Sequence, residues 1–245
     1  GSRLHNKNEQ KAELFLDIVS ETINRGGTVV IPSFAVGRTQ EILYELNKIK
    51  DITNDEEFKK KYEKLMTVPV YVDSPLAVNA TNIFRMHLDL FNKDVAEVLE
   101  HDDDPFGFGT LKYITNVNHS KALNSRQDPC IIISASGMME AGRVKHHIAN
   151  NIDNPKNSIL AIGYCAPLTL GSRILSGEKE ISIFGMPHVV KAEVFSTDAF
   201  SGHADYQEME EYLRCENPEK VKKVFIVHGD YEAQVPYSKV LEKAG

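Results

Sequence analysis

The sequence predicts an α/β protein built on a doubly wound, mostly parallel sheet. Short β-branched runs alternate with stretches of helical period along the chain. The runs "TVVIP" and "CIIIS" are continuously apolar, the mark of strands buried on both faces. Most runs end in a small or polar residue and pass through a turn into a helical stretch. That order is what right-handed crossovers between parallel strands require.

Taken in order, residues 7–25 place Leu14, Ile18, Val19 and Ile23 at helical spacing, and Gly26–Gly27 ends that helix, since glycine accepts a positive φ there. "TVVIPSF" (28–34) reads as a strand and "GRTQEILYELNKI" (37–49) as a helix. The strand "VPVYVDS" (68–74) leads to the helix "LAVNATNIFRMHL" (76–88), and "PCIIISAS" (129–136) to "GRVKHHIANNI" (142–152). "SILAIGYC" (158–165), "TLGSRILS" (169–176) and "EISIFG" (180–185) continue as strand, helix and strand. Beyond about residue 180 the texture changes, and a domain boundary is expected there, with 1–180 and 181–245 on its two sides. "HVVKAEVFSTDAFSGHAD" (188–205) reads as a strand with a loop, "YQEMEEYLR" (206–214) as a helix, and "VKKVFIVHGD" (221–230) as a final buried strand. A last helix begins in "EAQVPYSKVLEKAG" (232–245).

Composition narrows the function classes. With 42% hydrophobic and 26% charged residues, and no long apolar run, the chain is a globular protein with no membrane-spanning helix. Cys130, Cys165 and Cys215 form no CxxC, which fits a reducing cytoplasm better than a disulfide framework. The net charge of −7 argues against a generic nucleic-acid coat, but residues 105–175 hold seven Lys/Arg against three Asp/Glu, a local +4. That stretch either serves an anionic ligand locally or is an ordinary mixed-charge surface.

In a doubly wound sheet the ligand side is the carboxyl edge of the strands, marked here by Ser33, Asp73–Ser74, Ser134–Ser136 and Tyr164. Three turns at this edge, "PSFAVGRTQE" (32–41), "SASGMMEAGR" (134–143) and "GYCAPLTLGSRI" (163–174), put small residues just before a helix. Backbone N–H groups can approach an anion at such places. The candidate ligand-binding residues are Arg38, Ser134, Ser136, Gly137, Arg143, Lys145, Thr169 and Arg173, with Ser201 further on. Thr169 is most simply a helix cap. In "DSPLA" (73–77), Asp73 or Ser74 reads as an N-cap before Pro75, a role that can coexist with facing a ligand. No GxGxxG or Walker loop is present, so a nucleotide-binding Rossmann-like domain has weak support.

His203 in "FSGHAD" and His228 in "FIVHGD" each sit where an apolar run stops. Imidazole binds zinc when neutral and donates a proton when charged. One such histidine is more often structural; two in matching contexts favour chemistry. Yet zinc needs several ligands, and His146–His147 point to different faces of a helix.

Six stretches, in order, resemble the β-CASP branch of the metallo-β-lactamase superfamily, the RNA-processing nucleases: "RGGTVVIPSFAVGRTQEIL", "VYVDSPLA", "ISASGMMEAGRVKHH", "GYCAPLTLGSRI", "FSGHADYQEM" and "VHGD". The resemblance runs nearly end to end. It implies a β-CASP domain over 1–180 and, over 181–245, returning strands and helices of a metallo-β-lactamase domain. It implies that His203 helps protonate the leaving group beside the scissile phosphate, as the family's motif B histidine, and that His228 is a zinc ligand, as its motif C histidine. A histidine at motif C points to RNA, because members acting on DNA tend to carry valine there. The family's HxHxDH motif, later ligands and acidic motif A residue have no match in this sequence. The chain is therefore expected to be part of a longer two-zinc ribonuclease, to be inactive alone and to hold no zinc by itself. Single-stranded RNA is the expected partner, with self-association also expected. A relative that has lost its metal ligands and serves as a non-catalytic partner in RNA processing is the alternative.

Overall fold

The computed structural model describes residues 8–52, 55–197, 204–214, 220–227 and 229–244. Residues 9–200 form one compact unit. Its elements are α1 (Asn8–Asn24), β1 (Val29–Pro32), α2 (Arg38–Asn47), α3 (Glu56–Lys61), α4 (Glu63–Thr67), β2 (Val70–Val72), α5 (Pro75–Met86), α6 (Lys93–Leu99), β3 (Leu111–Tyr113) and α7 (Val117–Leu123). β4 (Ile131–Ser134), α8 (Arg143–Asn151), β5 (Ser158–Ile162), α9 (Leu170–Leu175), β6 (Glu180–Ile183), β7 (Met186–Val189) and β8 (Glu193–Thr197) follow. A second unit holds α10 (Tyr206–Leu213) and α11 (Tyr231–Ala244).

Six strands make one sheet in the order β3-β2-β4-β1-β5-β8, every pair parallel. The strands are apolar on both faces because both faces are covered. Val29, Ile31, Ile131 and Ile133 point to a core shared with Phe15 and Val19 of α1 and Leu43 of α2. Val30, Ile159 and Ala161 point the other way, to Val144 and Ile148 of α8 and Ile174 of α9. Each such side chain, fully buried, contributes about 1.5–3 kcal/mol.

The amino edge of the sheet is clasped shut. An added Cβ at Gly27 would lie 1.8 Å from the Lys156 carbonyl oxygen, so only glycine fits. Beside it Arg25 donates from Nε to the Lys156 carbonyl at 2.8 Å and from Nη2 to Ser158 Oγ at 2.6 Å, and pairs with Glu193 of β8.

Two expected strands turn out differently. Residues 180–183 do not join the parallel sheet; β6 and β7 form an antiparallel hairpin. The signal was present, since Ile181 and Ile183 alternate with exposed Glu180 and Ser182, the period of a strand wet on one face. Residues 221–227 form no ladder among the described residues, and Phe225 and Val227 are each 80% exposed. β-branched composition favours a strand only where a neighbouring strand covers it. β3 gave no sequence signal because it is an edge strand with no fully buried position, so its Leu-Lys-Tyr run is not continuously apolar.

Candidate functional site

β4 lies between β2 and β1. Ala77 of α5 and Leu43 of α2 pack into one core, whereas Val144 of α8 packs into the core on the opposite face. The chain thus leaves β4 towards one side and its two neighbours towards the other. Such a divergence opens crevices at the carboxyl edge, where doubly wound proteins place ligands.

The gap between β2 and β4 is filled by a polar network that the sequence reading missed. Asp73, fully buried, accepts from Ser120 Oγ at 2.5 Å, from His147 Nε2 at 2.6 Å and from Arg143 Nη1 at 2.6 Å. Asn124 Oδ1 faces His147 Nδ1 at 2.8 Å, and Ser134 Oγ donates to the Asp73 carbonyl at 2.8 Å. Burial opposes ionisation of Asp73, but the hydrogen bonds from His147, Ser120 and Arg143 outweigh it and hold the carboxyl below its ordinary value. Asp73 is therefore not the helix cap. Ser74 is, accepting from the Ala77 N–H at 3.2 Å. His147 and Asp73 are 74 residues apart, and no local pattern links them.

The gap between β4 and β1 is lined by the turns 33–37 and 135–142. An added Cβ at Gly137 would come within 3.2 Å of the Phe34 ring, so the absent side chain makes room for that ring, and Phe34 remains 49% exposed. α2 and α8 begin here behind Gly37 and Gly142, with φ of 81° and 80°, and neither start has a side-chain cap. Ser136 lies in the same turn, its Oγ 3.4 Å from the Ala141 carbonyl.

After β5 the third turn is already filled. Thr169 caps α9, accepting from the Ser172 N–H at 3.2 Å, and the Glu140 carboxylate takes the Leu170 N–H. The three candidate arginines are also engaged: Arg38 with Glu41 at 2.5 Å, Arg143 with Asp73, and Arg173 with Glu178 at 2.7 Å. Lys145 differs, its Nζ lying 3.4 Å from the Glu140 carbonyl and 5.3 Å from the centre of the Phe184 ring. His203, His228 and Ser201 lie outside the described residues. Asp205 of the "FSGHAD" stretch caps α10 in a reciprocal capping box with Glu208.

Among the described residues no three His, Cys, Asp or Glu side chains gather as a metal-binding group. Asp73 and His147 approach each other, but Arg143 shares the carboxylate, and a guanidinium repels a cation. Burial pushes the thiols of Cys130 and Cys165 up, away from the thiolate that binds zinc. The described residues therefore do not fit a zinc centre. No described helix is long and apolar enough to cross a membrane.

Two family models match in tandem: the Beta-Casp domain over residues 39–174 and the Zn-dependent metallo-hydrolase RNA specificity domain over residues 187–245. The chain is similar to a ribonuclease of Thermus thermophilus, 31% identical over 245 residues, covering 100% of this chain and 53% of the relative. It is similar to a transcription termination factor of Methanosarcina mazei, 34% identical over 224 residues, 89% of this chain and 33% of the relative. Similarity extends to cleavage and polyadenylation specificity factor 73 of Drosophila melanogaster, 28% identical over 233 residues, 94% of this chain and 31% of the relative. The chain spans about half the length of the first of these and about a third of the other two.

Proposed function

Because this chain belongs to the β-CASP family of the metallo-β-lactamase superfamily, we propose that it clamps single-stranded RNA for a zinc-dependent ribonuclease. The observation that carries this reading is the tandem match of a Beta-Casp domain followed by an RNA specificity domain. The carboxyl edge supports it. Two helix starts on adjacent strands lack side-chain caps, although the Arg38, Thr39 and Val144 N–H groups already donate to the Val36, Phe34 and Ala135 carbonyls. An anion would meet the N–H groups left over, and Ser136, Gly137 and Lys145 lie in or just beyond the turn that precedes one of the two starts.

In this proposal Lys145, Ser136 and Gly137 lead the contacts, because they need no carboxylate displaced. Arg38 and Arg173 would have to leave Glu41 and Glu178 to reach a phosphate. Arg143, Ser134 and Thr169 shape the edge through Asp73 and the start of α9. Ser201 is proposed to lie with the substrate, His203 to act beside the scissile phosphate, and His228 to supply one zinc ligand. The domain division is proposed at about residue 180, and the cytoplasm as the location; Cys130 and Cys165 are free and buried. The 245-residue chain alone should bind RNA without cleaving it.

Fluorescence anisotropy with a short labelled RNA across a salt series tests the clamp. Binding should weaken steeply as salt rises, because phosphate contacts release counterions. No binding even at low salt would overturn the proposal. In a protein spanning the relatives' full length, His203→Ala should slow cleavage more than it weakens binding, and His228→Ala should lower both zinc content and rate.

A further inference from the structure

We infer that Phe184, His146 and Lys145 form a nucleobase-stacking platform for single-stranded RNA, which continues the sheet edge from the first turn of α8 onto the β6–β7 hairpin; the inference rests on the RNA reading above. It begins with a turn residue that the backbone disfavours. β6 and β7 are joined by Phe184 and Gly185, with φ of 54° and 77°. Positive φ at both central positions is the type I′ geometry, for which Asn-Gly is a preferred pair. A bulky aromatic in that region is an outlier, and outliers of this kind gather at ligand-binding sites. Burial does not account for it, because Phe184 is 54% exposed.

The ring does have neighbours. It stacks on the His146 imidazole, with ring centres 4.5 Å apart and planes inclined by 27°, and the Lys145 ammonium lies 5.3 Å from its centre. Both partners, the third and fourth residues of α8, sit in its first turn, which is fixed from beneath by buried Val144, His147 and Ile148. Unlike Arg38, Arg143 and Arg173, Lys145 has no carboxylate partner among the described residues. An exposed ring from the hairpin, with an exposed ring and a cation from the helix, matches the parts of a nucleotide. A base extends the stack, and its phosphate meets the ammonium, the combination that holds single strands without reading their sequence. The "GRVKHH" stretch supplies the cation, and an aromatic from a hairpin 38 residues beyond His146 supplies the platform.

Phe184→Asn separates this role from a structural one. Asn-Gly suits the turn, so thermal stability should hold or rise, while affinity for a fluorescein-labelled 12-residue oligoadenylate should fall about tenfold, the scale of one lost stacked base. Affinity for an abasic ribose-phosphate oligomer of the same length should not change, and Phe184→Trp should keep wild-type affinity. Unchanged oligoadenylate binding by Phe184→Asn would overturn the platform and leave the RNA reading standing. Equal losses on both oligomers would overturn stacking. If wild type binds neither oligomer, both readings fall. Should Phe184→Asn disrupt the hairpin, His146→Ser on the rigid helix carries the test, and full oligoadenylate affinity there would overturn the inference.

Discussion

Asp73 has no exposed surface, yet Arg143, His147 and Ser120 all donate to its two carboxylate oxygens. Its acidity is raised by those donors against the pull of burial. A carboxyl whose folded value is depressed adds stability above its unfolded value, ordinarily about 3.9, and loses it as the pH falls through the folded value. Asp73→Asn should therefore cost about 3 kcal/mol near neutral pH, as removing one member of a buried charged network does. Urea unfolding of the two proteins would read this, and the gap should close in strong acid. A gap of the same size at both extremes would mean that the carboxylate's charge contributes nothing. Arg143 gives the same lesson from the other side. As a basic residue at a helix start it reads as a phosphate ligand, but its guanidinium also donates to the carbonyls of Ile114 at 3.1 Å and Thr115 at 2.7 Å, so it ties the segments after β3 and β2 to α8.

At the scale of elements, what was legible followed from periodicity. β1, β4 and β5 are buried at every position, and their continuous apolar runs said so. Glycine turns and caps also read correctly at Gly26–Gly27 and Thr169. The site was legible only as a set of turns. Which candidate groups are taken by internal partners depends on Glu41, Asp73, Glu140 and Glu178, and nothing in a local window ranks a carboxylate as partner or bystander. The two helix starts, alike in sequence, also differ in space. An added Cβ at Gly142 would lie 2.5 Å from the Ala135 carbonyl oxygen, whereas nothing lies within 4 Å at Gly37. Alanine at Gly37, the centre of a γ-turn closed by the Arg38 N–H to the Val36 carbonyl, should cost only the strain of that backbone, about 1–3 kcal/mol. Alanine at Gly142 should cost clearly more, because backbone must also shift. Melting curves of the two variants decide it, and equal losses would mean that the turn before α8 yields freely.

At the scale of the molecule, protection should be uneven. β1 and β4 are sealed on both faces, while α10 has no buried residue. Amides of α10 should exchange with solvent much faster than those of Ile31 and Ile133, as hydrogen–deuterium exchange followed by mass spectrometry would show. Comparable protection in both would mean that the second unit is as firmly held as the sheet. The interleaved order of the strands has a further result. α2, α5 and α8 all start at the carboxyl ends of strands, so the positive ends of three helix dipoles gather along one rim of a chain whose formal net charge is −7. For the RNA proposed above, the net negative charge should oppose encounter in general while that rim favours it, so the approach itself should help set the orientation. Encounter then becomes the step that ions in solution slow, and the lifetime of the complex is left to the contacts made after arrival.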